Sequence, residues 1–187
     1  MALLGGLSYD KAHLFGLPHL GCRYTHGDRY ELLDGEPCVV CGRPARNCHH
    51  VVPRSVRKVF RLGAYELRSP LFALCGSGTT GCHDGFHGGR RYVARWEWDV
   101  DESLWWDGTL LDRHGPHSDE LFGYGRYVID AGDREILIGG ARAGDDVVTR
   151  TPMRMTAKGD TFDDYKQWRD VRDTLPVWGV PVHDPVR

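Results

Sequence analysis

Cys38-Val-Val-Cys41 and Cys75-x6-Cys82 constrain this chain more than any other feature. Four thiols in two close pairs can converge on one tetrahedral metal ion. A CxxC pair alone also serves redox chemistry. The second pair is spaced more widely than the usual half-site, yet the loop Gly76-Ser-Gly-Thr-Thr-Gly81 can still bring both thiolates to the same ion. A structural zinc there clips the chain from Cys38 to Cys82 and supplies folding energy that a small core lacks. An alternative set, Cys38, Cys41 and Cys48 with His49 or His50, stays open, although it leaves Cys75 and Cys82 without a task. Cys22 and Cys48 read most simply as free buried thiols.

Histidines follow each cysteine pair. His83 and His87 are four residues apart, so on a helix they share a face and can bind one ion together. His49 and His50 are adjacent, and on an extended segment they point to opposite sides. One can then bind an ion while the other faces a water, which separates Lewis acid from general base. An imidazole pKa near 6.5 lets the neutral ring that faces the water accept a proton near neutral pH.

The remaining sequence sets the frame. With 187 residues and a 41% hydrophobic fraction, the chain can bury a core without disulfides. It contains no apolar run long enough to span a membrane. Met1 to Asp10 lacks a basic n-region and an apolar h-region, so no signal peptide is expected. The chain is therefore expected in a reducing cytoplasm, where cysteines serve as metal ligands or free thiols rather than disulfides. Net charge is −2, which excludes a general polycation, but the charge is uneven. Arg43, Arg46, Arg54, Arg57, Lys58, Arg61 and Arg68 face only Glu66 in their stretch, and such a basic patch can hold phosphates. Between Glu97 and Glu120 acidic residues dominate instead.

Local patterns predict a short strand at Tyr30–Leu33, a β-prone Val51-Val52 stopped by Pro53, and a brief helix or irregular segment over Arg57–Leu62. An apolar strand is predicted at Leu71–Leu74, then a helix carrying Cys82, His83 and His87, capped by Thr79 or Thr80 and ended by Gly88-Gly89. Tyr92–Trp98 alternates like a strand. Tyr127–Ile129 and Glu135–Ile138 read as a hairpin. A helix is expected over Thr161–Thr174, followed by an extended tail at Pro176–Pro181. The tryptophan-rich acidic segment Trp96–Trp106 reads first as core and second as a contact surface. No internal repeat is present.

Cys38-x-x-Cys41, His49-His-Val-Val-Pro-Arg-Ser55 and Leu74-Cys-Gly-Ser-Gly-Thr-Thr-Gly-Cys-His83-x-x-x-His87 together resemble the HNH endonuclease family, in the versions found in tailed bacteriophages and prophages. The likeness covers about residues 36 to 90. It implies an α+β fold: a small ββα-metal core at residues 35–95 stapled by structural Zn²⁺, an N-terminal extension at 1–34 and a β-rich C-terminal extension at 96–187. It implies His50 as general base, and His49, His83 and His87 as ligands of a catalytic divalent ion (Mg²⁺, Mn²⁺, Ni²⁺ or Zn²⁺). Cys38, Cys41, Cys75 and Cys82 become the structural zinc ligands. DNA is the implied substrate, with 5′ phosphate and 3′ hydroxyl products, inside a bacterial host cell. Arg54 is the first choice for a phosphate contact, then Arg57 and Lys58. Pro70 stands where the family carries its central Asn, so Ser69 or a backbone carbonyl is expected to orient His50. The competing readings are a zinc-stabilised DNA-binding module without cleavage and an assembly partner of phage packaging proteins.

Overall fold

A computed structural model describes residues 7–87, 91–132, 134–139 and the backbone of 154–156. The chain is a mixture of small antiparallel sheets and short helices. Its elements are α1 (Tyr9–Ala12), β1 (Cys22–His26), β2 (Arg29–Leu32), β3 (Asn47–His50), β4 (Val59–Leu62), β5 (Tyr65–Arg68), β6 (Leu71–Leu74) and α2 (Gly81–Phe86). They continue with β7 (Val93–Trp98), α3 (Ser103–Trp106), α4 (Thr109–His114), a 3₁₀ turn at Asp119–Gly123, β8 (Gly125–Asp130), β9 (Glu135–Gly139) and β10 (Arg154–Thr156).

The central strand is β6. Leu71, Phe72, Ala73 and Leu74 are all fully buried, as an uninterrupted apolar run between Pro70 and Gly76 requires. One edge of β6 pairs antiparallel with β3, in the register His49↔Phe72 and His50↔Leu71. The other edge receives the segment before β1: Leu20 N–H donates to Leu71 O at 2.8 Å, and Ala73 N–H donates to Leu20 O at 2.7 Å. The order β10-β9-β8-β7 forms a separate four-stranded sheet. It docks on β6 through Tyr127, whose ring meets Phe72 edge-on at 4.9 Å and whose hydroxyl donates to Pro18 O at 2.7 Å. One apolar core thus joins the N-terminal turn (Phe15, Leu17), the β3–β6 pair and the C-terminal sheet (Trp96, Ile136, Ile138). Trp96 and Trp105 belong to that core. Among the described residues no helix is long and apolar enough to cross a membrane.

Several expectations need correction. Cys22 and Cys48 form a disulfide rather than remaining free thiols. Leu20 lies along β6, Cys22 clusters with Leu71 and Ala73 of that strand, and the Cα atoms of Cys22 and Cys48 fall 6.1 Å apart, within disulfide reach. Arg57–Leu62 is no helix. Val59–Leu62 pairs with Tyr65–Arg68 in a hairpin turned at Gly63, whose φ of +57° suits glycine. Thr80 occupies the residue before α2, but its hydroxyl accepts from Ser77 N–H instead of capping the helix. Val51 and Val52 lie past the end of β3 in a bend. The expected helix over Thr161–Thr174, the extended tail and the stop at Gly88-Gly89 fall outside the described residues.

Glu36 gives the fold a pH dependence. The stem of its side chain packs against Gly21, its carboxyl is buried, and neither oxygen has a hydrogen-bond partner among the described residues. Burial, then the nearby Asp119 carboxylate, pushes its pKa from 4.5 to about 7. A raised carboxyl pKa stabilises the fold below 4.5, and that contribution drains away as pH rises towards 7. Glu36→Gln is expected to be more stable than wild type at about pH 8, by about 1–2 kcal/mol, and to lose its advantage towards about pH 4.5. Thermal melts across that range check this; a variant equally stable throughout refutes it.

Candidate functional site

Two ligand clusters flank α2. The first is Cys38, Cys41, Cys75 and Cys82, whose sulfur atoms all lie within 4.8 Å of one another. A tight turn presents the first pair: Cys38 N–H donates to Arg43 O at 2.7 Å, Gly42 N–H returns to Cys38 O at 2.9 Å, and Gly42 takes a left-handed φ of +76°. The wider second pair is drawn together by a loop folded on itself. Ser77 N–H and Thr80 O pair at 3.0 Å, and His83 N–H donates to Cys75 O at 3.1 Å. Gly76 is obligatory, because a Cβ there meets Thr80 O at 2.1 Å and its φ is +85°.

The thiols fit a tetrahedral cation. Zn–S bonds of about 2.3 Å set sulfurs about 3.8 Å apart, and Cys41 Sγ and Cys75 Sγ lie 3.5 Å apart. Hydrogen bonds from Cys38 and Cys82 pull Cys41 down, whereas bonding to Cys41, Cys75 and Cys82, with burial, pushes Cys38 up. Four sulfurs this close cannot all carry charge without a cation between them. The cluster can hold a metal such as zinc. The alternative set fails because Cys48 is bonded to Cys22.

The second cluster is His49, His83 and His87, whose ligand nitrogens also lie within 4.8 Å of one another. His83 Nε2 and His87 Nε2 are 3.1 Å apart. The His49 ring meets both others edge-on, at 5.1 and 5.2 Å, and leans on Phe86. α2 ends at Phe86, so His87 sits at its extended C-cap and folds back over His83. Burial, then the neighbouring His83 and His87, lowers the His49 pKa to about 3. Burial and His87 likewise lower His83. Neutral imidazoles with converging nitrogens are the ligand form for divalent transition metals, and among the described residues the buried His83 Nδ1 has no hydrogen-bond partner.

Strand alternation sends His50 to the opposite side of β3 from His49. There its ring lies 4.8 Å edge-on from Tyr30 and 6.2 Å from Tyr24, the tyrosines of the β1–β2 hairpin. Burial first and Arg54 second lower its pKa to about 4, with Asp28 opposing. Ser69 does not orient His50. Its buried hydroxyl accepts from Val52 N–H at 2.8 Å and donates to Pro70 O at 3.0 Å, which commits it to the chain turn. Asn47, the only asparagine in the chain, donates its side-chain amide to Gly76 O and so serves the cysteine loop.

The basic residues divide. Arg54 pairs with Asp28 at 3.5 Å, on the His50 side. The field of Lys58 also reaches Asp28. Arg57 lines a separate groove with Phe60, Arg61, Leu62, Glu66 and Trp106. The sequence reading placed Arg68 only in the basic stretch and Tyr30 only in a strand, and it missed Asp28 and Tyr24. Their only local signal was Gly27-Asp28, a two-residue turn between β1 and β2.

No family model, curated protein or solved structure matches this chain.

Proposed function

We propose that this protein is a metal-dependent endonuclease of the HNH type, with β3, β6 and α2 as its ββα-metal core, hydrolysing phosphodiester bonds of DNA. The observation that carries the reading is the division of labour on β3: His49 converges with His83 and His87, while His50 faces the other side beside Arg54. His49, His83 and His87 would hold the working divalent ion, and Cys38, Cys41, Cys75 and Cys82 a structural zinc. When bound, the working ion supplies charge stabilisation at the scissile phosphate and the leaving 3′ oxygen. Neutral His50 takes the proton from the attacking water at a ring nitrogen. Arg54 draws the backbone phosphate towards that ring. The products are a 5′ phosphate and a 3′ hydroxyl.

A nicking assay on supercoiled plasmid tests the reading, with Mg²⁺, Mn²⁺, Ni²⁺, Co²⁺ and Zn²⁺ each added in turn and EDTA as the control. Cleavage that depends on a divalent ion is the expected result; none with any ion of the panel overturns it. One observation favours a second reading, a zinc-stabilised DNA-binding protein with weak or no cleavage. Among the described residues the His50 ring is held by tyrosine rings rather than by a hydrogen-bonding orienter. Tight DNA binding without cleavage would select it.

A further inference from the structure

The β1–β2 turn places one carboxylate between two arginines at the edge of the His50 face. Asp28 Oδ1 accepts from Arg68 Nη1, and Asp28 Oδ2 accepts from Arg54 Nη2 at 3.5 Å. The arginines come from different elements: Arg54 from the segment after β3, Arg68 from the end of β5. They are brought together only at this carboxylate. Arg68 also lies 5.4 Å above the Tyr24 ring, and Tyr24 is in ring contact with His50 at 6.2 Å. Tyr30 closes the other side of His50 at 4.8 Å. Arg68 has a second, longer partner in Glu66 at 3.8 Å.

Carboxylate and phosphate oxygens offer the same acceptor geometry to guanidinium groups. Two converging arginines beside an imidazole, with an aromatic wall, form a receptor for a backbone phosphate. The carboxylate now on them stands on an exposed hairpin tip, where a Cβ built on Gly27 meets nothing within 4 Å. We infer that Asp28 is a built-in phosphate mimic: it holds the Arg54–Arg68 clamp in the free protein and yields it to a phosphate of the nucleic-acid strand presented to His50. The inference rests on the nucleic-acid reading above and adds Arg68 and Asp28 to it. The turn lowers the affinity of the clamp for any single phosphate, so productive binding needs a strand that also engages the tyrosines.

Fluorescence anisotropy with a labelled DNA duplex, on the zinc-loaded protein with no further divalent ion added and over a series of salt concentrations, reads the clamp without cleavage. Asp28→Asn is expected to tighten binding about three- to tenfold at low salt, since one competing charge leaves the clamp. Arg54→Ala and Arg68→Ala are expected to weaken binding and each to flatten the log–log salt slope by about 1. Asp28→Asn placed on Arg68→Ala should recover little. Glu31→Gln removes an equal charge from the same hairpin, where Glu31 pairs with Arg23, and should leave affinity unchanged. Arg68→Lys, which keeps charge and stem, covers the case in which Arg68→Ala fails to fold.

Unchanged or weaker binding by Asp28→Asn overturns the inference. So does an equal gain from Glu31→Gln, an unaltered salt slope in the arginine variants, or no binding by any form. The outcome is separate from catalysis. Tighter binding by Asp28→Asn with no metal-dependent cleavage leaves the clamp standing and removes the nuclease; cleavage without these binding changes does the reverse.

Discussion

Cys38→Ser is expected to release the bound zinc and to leave the chain unfolded or nearly so. Metal analysis of the purified wild type should find about one tightly held ion per chain, which chelators remove only with loss of structure. Cys38 is completely buried and belongs to the main apolar core, so its loss leaves three crowded, partly buried thiols without a cation to hold them together. Structural zinc contributes about 10–16 kcal/mol in small zinc-binding peptides, against a total stability of about 5–15 kcal/mol for an ordinary domain. Even a fraction of that contribution exceeds the margin. Cys48→Ser is the informative contrast. It breaks the bond to Cys22 at a loss of about 2–4 kcal/mol but keeps the zinc. Zinc retained by Cys38→Ser, or lost by Cys48→Ser, would reassign the ligands.

His50→Ala is expected to lower DNA cleavage by about 10²–10⁴-fold, the usual contribution of a general base. Zinc content and duplex affinity should stay near wild type. The separation follows from geometry: His50 is on the far side of β3 from His49 and touches the hairpin tyrosines rather than either ligand cluster. His83→Ala should also abolish cleavage, by a different route, because it removes one of the three converging imidazoles. Metal titration distinguishes the two: the His83 variant should need more ion for residual activity, and the His50 variant should not. Cleavage by His50→Ala at the wild-type rate would exclude His50 as the base.

Much of the ligand geometry was legible because it is local. CxxC implies a tight turn, and adjacent histidines on an extended segment must diverge. Leu71–Leu74 was legible as a strand, an apolar run flanked by Pro70 and Gly76, but its pairing with Asn47–His50 was not. What could not be read depends on distant partners. The Cys22–Cys48 bond was masked by an argument from compartment, while the deciding fact was the path of Leu20 along β6. Val59–Leu62 looked ambiguous because its strand exists only through pairing with Tyr65–Arg68. Ser69 is the simplest candidate to orient a neighbouring histidine, yet the turn before β6 uses both its donor and its acceptor. Asp28 and Arg68 are forty residues apart, so their pairing leaves no mark in any local window, and a basic stretch reads as unopposed when its counter-charge comes from elsewhere.

β3 is only four residues long, yet Cys48, His49 and His50 each have a different neighbour: the cysteine of β1, the imidazoles of α2 and the tyrosines of the hairpin. Side chains alternate from one residue to the next, so a one-residue insertion or deletion between Arg46 and His50 would exchange the two histidines and strand the cysteine. Among descendants of this sequence, changes in length should therefore be tolerated at the tip of the β4–β5 hairpin and eliminated in this stretch. A four-residue strand beside the central one is thus the part whose length can vary least.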